Sequence, residues 1–239
     1  KVWYALGEYV DNAVQSFEDN RDDLTQIHGE EFTLEIRINI HRDDNIISIL
    51  DNAAGIGLDN YYRAFEPAHI PLDNSGLHEY GMGMKTASIW LSDVWSVKTK
   101  AIGEDEERWV EFDLYKVIKE KREDLQIVRK SKKRDIHYTE LMLTKLSNNA
   151  PSVHQLDKIK RHLASIYRKF IREGILKLYI NKELLTYKDP EILETPYYKD
   201  PNGINILWKK NIDFSLIGAE RFYFRFLLSV PKHQPLGSE

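Results

Sequence analysis

The chain opens on a helical pattern of apolar positions. In "VWYALGEYVDNAVQSFED", Val2, Ala5, Leu6, Tyr9, Val10, Ala13, Val14 and Phe17 recur at the spacing of one buried helical face. No capping residue precedes this helix, so the natural chain or domain is expected to begin earlier. The period then changes from 3.6 to 2. In "FTLEIRINIH", Phe32, Leu34, Ile36, Ile38 and Ile40 alternate with Thr33, Glu35, Arg37, Asn39 and His41, which predicts a half-buried strand. After the turn "RDDN", the short apolar run "IISIL" predicts a second strand that ends on "DNAAGIG", with a helix starting near Leu58. Pro67, Pro71, Asp73, Asn74, Ser75 and Gly76 predict a loop.

Beyond that loop, "GLHEYGMGMKTASIWL" runs from two glycines around Met82 into an apolar helix over Lys85–Leu91. The runs "VWSVKTKA", "RWVEFDLY", "LQIVR" and "YTELMLTKL" follow as successive strands. Strands in sequence with short turns, rather than strictly alternating with helices, predict an α+β fold: a largely antiparallel sheet with helices on one face. The composition shifts near "SNNAPSV". A basic helix from Val153 to about Arg172 follows, then strands within "ILKLYIN", "INILWKK" and "RFYFRFLLSV", joined by the Pro-containing "KDPEILETPYYKDPNG". This divides the chain into residues 1–150 and a smaller α+β unit, 151–239, which is expected to be incomplete.

Composition narrows the function classes. The chain has 239 residues, enough for one large or two modest cores. It has no cysteine, which excludes disulfides and thiolate metal sites, and a reducing cytoplasmic setting fits that. No apolar run is long enough to span a bilayer. The formal net charge of -4 hides an asymmetry: residues 1–115 hold 9 Lys/Arg and 23 Asp/Glu, so the remainder of the 34 basic and 38 acidic residues leaves 116–239 with a net +10. The basic half can face nucleic acid, dock on the acidic half, or present a solvated surface. The 8 histidines lack His-x-His or His-Glu-x-x-His spacing, and the aromatic strand "RFYFRFLL" reads as sheet core ahead of a base-stacking surface.

Three segments carry candidate chemistry. Glu8 and Asn12 lie four residues apart, hence on one helix face; such a pair can supply a general base and an oxygen ligand for Mg²⁺, or form a structural pair. Asp51 ends an apolar strand ahead of Ala53, Ala54, Gly55 and Gly57. Its carboxylate can accept from an exocyclic amine while the small residues leave room for a flat ring, or it can simply close a turn. Gly81, Gly83 and Lys85 stand at a helix start, where bare backbone N–H groups, the helix dipole and a lysine suit phosphate, although Gly-x-Gly also punctuates ordinary helix starts.

In this order, "GEYVDNAV", "DNAAGIG" and "GLHEYGMGMKTA" resemble the three nucleotide-binding motifs of the GHKL ATPases, the superfamily of gyrase B, Hsp-type chaperones, histidine kinases and MutL. The fourth motif, a Gly-Thr pair opening a strand, is matched in "HYTELMLTKL" by Thr139, with Tyr138 in place of glycine; Ala53 likewise replaces the first glycine of the second motif. The resemblance covers residues 1 to about 146, and "EYGMGMKTA" is closest in character to the MORC ATPases and related bacterial proteins. It implies a two-layer, Bergerat-type ATP-binding fold followed by a transducer-like unit. It also implies ATP and Mg²⁺ as ligands, Glu8 as the activator of water and Asn12 as the metal ligand. Asp51 would read the adenine amine, Gly55 would lie beside the base, and Thr139 would support Asp51. Gly81, Met82, Gly83 and Lys85 would wrap the phosphates, and the segment from about Glu66 to Tyr80 would form a lid. Lid closure commonly drives dimerisation in this superfamily, so an ATP-dependent homodimer, nucleoid or other nucleic-acid association and slow hydrolysis are the implied function. A histidine kinase, with His78-Glu79 as a superficial acceptor motif, and a non-hydrolysing ATP-binding module that accommodates Tyr138 are the alternatives.

Overall fold

The computed structural model describes residues 1–65, 83–120, 126–188, 195–196, 199–206, 210–213 and 223–226. Two compact units divide at Tyr187 and Lys188. The first is built on an eight-stranded sheet. Its helices are α1 (Val2–Asp19), α2 (Arg21–His28), α3 (Leu58–Phe65), α4 (Gly83–Leu91), α5 (Leu114–Glu120), α6 (Leu156–Ile166) and α7 (Arg168–Arg172). Its strands are β1 (Leu34–His41), β2 (Ile46–Asp51), β3 (Ser92–Lys100), β4 (Glu106–Asp113), β5 (Ile127–Ser131), β6 (Tyr138–Leu146), β7 (Leu176–Ile180) and β8 (Glu183–Leu184).

The strand order is β5-β4-β3-β6-β2-β1-β7-β8, antiparallel throughout except between β1 and β7. The α+β expectation holds, with one parallel pair that alternation along the sequence does not encode. β6 and β7 therefore run in the same direction, so the intervening chain must cross back over the sheet, and α6 and α7 are that crossover. This is why the compact unit extends to Tyr187 although the sequence shifts in composition near 150. Pairing of Leu34 through Ile38 with Leu176 through Ile180 ties β7 to the first sheet.

Alternation dictates the core. Leu34, Ile36, Ile38 and Ile40 of β1, Ile47 and Ile49 of β2, Val97 of β3, and Leu141 and Leu143 of β6 all point into one layer. The apolar face of α1 covers them, with Leu6 and Val10 fully buried, and α4 and α6 pack beside α1. Each large aliphatic side chain removed from water there contributes about 1.5–3 kcal/mol. At one end of the sheet this apolar layer gives way to a polar row: Asp51 stands opposite Thr139, and Thr139 opposite Thr99. That row positions the site.

Two helices depart from the expectations. α2, "RDDLTQIH", buries only Leu24 and carries no apolar period, and α5 takes Leu114 and Tyr115 out of the strand read as "RWVEFDLY". In the second unit, the described strands are the pair β9 (Thr195–Pro196) and β10 (Asn205–Ile206) and the pair β11 (Lys210–Asp213) and β12 (Tyr223–Phe226).

Candidate functional site

A cavity of about 210 Å³ opens between α1, the end of β2 and the start of α4. Asn12 and Ser16 of α1 and Asn20 just past its end line it at four-residue intervals, and Asp51, Gly55, Asn60, Gly83 and Thr139 face them. Residues up to 127 positions apart in sequence thus converge, because the sheet sets β2 beside β6 and α1 crosses above both.

At the sheet end, Asp51 is 8% exposed and accepts from the Ala53 N–H at 3.0 Å and from the Thr139 backbone. Burial raises its carboxyl from 3.8 to about 7, in spite of those two donors. A buried carboxylate with two backbone donors on one side and the cavity on the other retains lone pairs for a further donor. Gly55 has φ +75°, and a Cβ there would overlap the carbonyl of Lys100, so only glycine lets the β2–α3 loop lie this close to β3.

Four residues that the sequence reading did not single out hold this wall. Thr99 accepts from the Ile56 N–H at 2.8 Å and shares a hydrogen bond with the Thr139 hydroxyl at 3.2 Å. Lys100, fully buried, donates from Nζ to the carbonyls of Ala101 at 2.8 Å and Glu104 at 2.5 Å, and the Ile102 N–H donates to Ala54. His137 holds the Ala53 carbonyl from behind at 2.8 Å. A carbonyl only accepts, so His137 Nδ1 carries the proton, and its Nε2 accepts from His28 Nε2–H at 2.6 Å. Burial pushes the His137 pKa down, as that neutral tautomer requires. The one available signal was a threonine at an inward position of "VWSVKTK"; the Ile56, Ile102 and His137 contacts arise from pairings too distant to read, and the Lys100 contacts from a local turn that the strand pattern does not mark.

Tyr138, where the motif has glycine, does not line this cavity. Its hydroxyl donates to Glu107 on β4, in a row on the opposite side of the strand from Thr139. The crowding that a tyrosine implies is avoided by strand alternation.

At the other end, α1 carries Asn12 into the cavity, and Glu8 stands one turn before it. Glu8 is not a lining residue, yet a Cβ on Gly83 would overlap its carboxylate, so Glu8 and the first residue of α4 are in direct apposition. Partial burial, then the charge of Asp11, raise the Glu8 pKa above the ordinary carboxylate range. Lys85 is half-buried in the first turn of α4. Gly81, Met82, His78 and the whole segment from Glu66 to Tyr80 lie outside the described residues. Among the described residues no three His, Cys, Asp or Glu side chains gather as a metal cluster. The amide of Asn12, an uncharged oxygen donor, fits a cation that keeps most of its water and takes the rest of its ligands from phosphate, which is the habit of Mg²⁺.

Comparison with known proteins agrees with this arrangement. A family model described as histidine kinase-, DNA gyrase B-, and HSP90-like ATPase matches residues 1–149. No curated protein matches the sequence. Among solved structures, the chain is similar to the ATPase and transducer domains of DNA topoisomerase II from Balamuthia mandrillaris, with a TM-score of 0.51 at 18% identity. The match covers 77% of this chain and 48% of that one, so the chain spans about half of that structure, and at this identity the likeness speaks for the fold. The chain belongs to the histidine kinase-, DNA gyrase B- and HSP90-like ATPases, the GHKL superfamily, and is an ATP-binding protein of that family.

Proposed function

We propose that this chain binds ATP with Mg²⁺ in the α1–β2–α4 cavity and hydrolyses it slowly, as a switch. The observation that carries this reading is the convergence of Asn12, Asp51, Gly55, Gly83 and Thr139 on one cavity, with Glu8 against Gly83 at its mouth. Asp51 accepts from the adenine amine, Gly55 leaves space for the flat face of the base, and Thr139 holds Asp51. Gly81, Met82, Gly83 and Lys85 take the phosphates at the start of α4, where backbone N–H groups and the helix dipole favour anions. Asn12 would hold Mg²⁺, which when bound neutralises charge on the phosphate oxygens.

Glu8 takes a proton from the attacking water. Its raised pKa brings it closer to the working pH, which suits a general base. Catalysis in such a site is mainly positioning and charge neutralisation, so turnover is slow without a completing partner. Closure of residues 66–80 over ATP, with dimerisation, is the switch, and the smaller unit, Lys188–Glu239, acts as a transducer-like unit.

Exposed Lys158, Arg161, Arg168, Lys169 and Arg172 on α6 and α7 support a nucleic-acid-associated role, as does the MORC-like character of "EYGMGMKTA". No helix among the described residues is long and apolar enough to cross a membrane. The test is calorimetric titration of ATP with and without Mg²⁺, alongside phosphate release. Mg²⁺-dependent binding with slow release is expected, and absence of ATP binding overturns the reading.

A further inference from the structure

The residues matched by the family model end at 149, yet a side chain beyond them reaches the helix turn that carries Glu8. Tyr167 sits at the junction of α6 and α7 and is 3% exposed. Its hydroxyl lies 3.0 Å from the Gly7 carbonyl and 2.8 Å from Asp11 Oδ1, so its single proton is shared between two acceptors one turn apart. Glu8 stands between them in sequence.

The rest of the contact is shaped to this hydroxyl. A Cβ at Gly7 would stand 3.3 Å from the Tyr167 oxygen, tighter than ordinary packing, so the absence of a side chain at position 7 is what admits the tyrosine. The junction itself is pinned from both sides in sequence: the Tyr167 N–H donates to Leu163, and the Tyr167 carbonyl accepts from Ile171. A second contact fixes α6 along α1, where His162 stacks on Trp3 with centroids 4.3 Å apart and planes 11° apart, beside buried Ile159 and Leu163. A tyrosine held this way has little freedom, and neither has the turn it binds.

We propose that Tyr167 is a positioning residue for Glu8: its hydroxyl clamps the Gly7–Asp11 turn of α1, so the helical segment after the ATP-binding domain sets the aim of the catalytic carboxylate. This rests on the reading of Glu8 as the base. Electrostatics agrees with the proximity, since burial, then Asp11 and its hydrogen bond, then Glu8 raise the Tyr167 pKa. Communication between α6–α7 and hydrolysis follows: anything that shifts the junction releases the turn.

The experiment compares Tyr167→Phe, which keeps the ring and loses only the hydroxyl, with wild type in the full chain. Three quantities are read: ATP affinity, kcat, and the titration of the Glu8 side-chain carboxyl by ¹³C NMR. Affinity is expected to stay within about twofold while kcat falls about 10- to 100-fold, the cost of misplacing a reacting group. The Glu8 titration is expected to move up, because the shared proton no longer offsets the Asp11 charge; Asp11→Asn, which keeps an acceptor for the hydroxyl and removes the charge, should move it down. An unchanged kcat with an unchanged titration overturns the proposal, and so does a parallel loss of affinity and thermal stability, which marks a merely structural bond. If wild type binds ATP without turnover, it is the role of Glu8 as base that fails. The titration then decides alone: a shift in Tyr167→Phe supports the clamp, and no shift overturns it.

Discussion

The two ends of the cavity are built differently. At the sheet end, Asp51, Thr139, Thr99, Ile56 and Ala53 are bonded to one another through strand register, with Lys100 and His137 buttressing the loop from behind. At the α1 end, Glu8 and Asn12 ride on a single helix, half-buried, and the turn that carries Glu8 is held by the Tyr167 hydroxyl from α6–α7 and by Tyr9, whose hydroxyl shares a hydrogen bond with Ser88 of α4 at 3.0 Å. On the proposed reading, base recognition is local to the sheet, whereas the chemistry depends on a helix turn that contacts from α4 and α6–α7 hold in place.

The largest expected effect lies at the α1 end. Glu8→Gln should lower phosphate release by about 10²- to 10⁴-fold, the usual worth of a general base, with ATP affinity held within a few-fold; an equal loss in both would erase the contrast between the ends. At the sheet end, Asp51→Asn places an N–H₂ where backbone donors converge and where the adenine amine is proposed to bind. It should cost about 1.5–3 kcal/mol of binding, roughly 10- to 150-fold in Kd by calorimetry, while saturated turnover changes less.

Gly55→Ala probes the rigidity of the wall. A side chain at φ +75° that also overlaps Lys100 should destabilise the fold by about 1–3 kcal/mol in denaturant melts and weaken ATP binding with it. An alanine that leaves both unchanged would mean the loop is more pliant than its bonds suggest.

The pH dependence is smaller and has a definite sign. The Asp51 carboxyl is raised from 3.8 to about 7 by burial, so between these values the folded state holds a proton that the unfolded chain has released. Its contribution to apoprotein stability is full below about pH 4 and is lost as pH rises to about 7. Binding should run the other way, because on the proposed reading the adenine amine needs the carboxylate. Affinity should tighten about three- to tenfold between pH 6 and 8, with a proton released on binding near pH 7, seen as a buffer-dependent enthalpy. A pH-independent affinity would place the amine elsewhere. Least affected should be Tyr138→Phe: its hydroxyl points to Glu107, away from the cavity, so ATP affinity should hold within about twofold.

The same contrast separates what the sequence made legible from what it did not. α1 and most strands of the sheet were readable because they write their period locally, as in Leu34 to Ile40, and "YTELMLTKL" coincides with β6 from end to end, whereas the two-residue β8 was not read. Asn12, Asp51, Gly55, Gly83 and Thr139, which line one cavity, stood out in the sequence because the motifs set polar or small residues within a buried helix, at a strand end and the loop after it, and at the start of a helix and a strand. Thr99 and Lys100 looked like ordinary strand positions; the turn after β3 gives Lys100 its carbonyl partners, and the pairing of β3 with β6 gives Thr99 its role. Tyr167 was hidden for the same reason: 160 residues separate it from the Gly7 carbonyl it binds. The extent of the first unit was hidden too, since the parallel partnership of β1 and β7 is a tertiary choice between two strands that look alike in sequence. α2 escaped because it is short and mostly polar, and α5 because its seven residues make about two turns, too few to write a clear period.

The most direct test of a cavity divided between recognition and chemistry is to measure Kd and kcat for ATP side by side in Asp51→Asn and Glu8→Gln. The account predicts a crossed result: Asp51→Asn loses affinity and keeps most of its turnover at saturation, and Glu8→Gln keeps affinity and loses turnover. Loss of both quantities in both variants would contradict it.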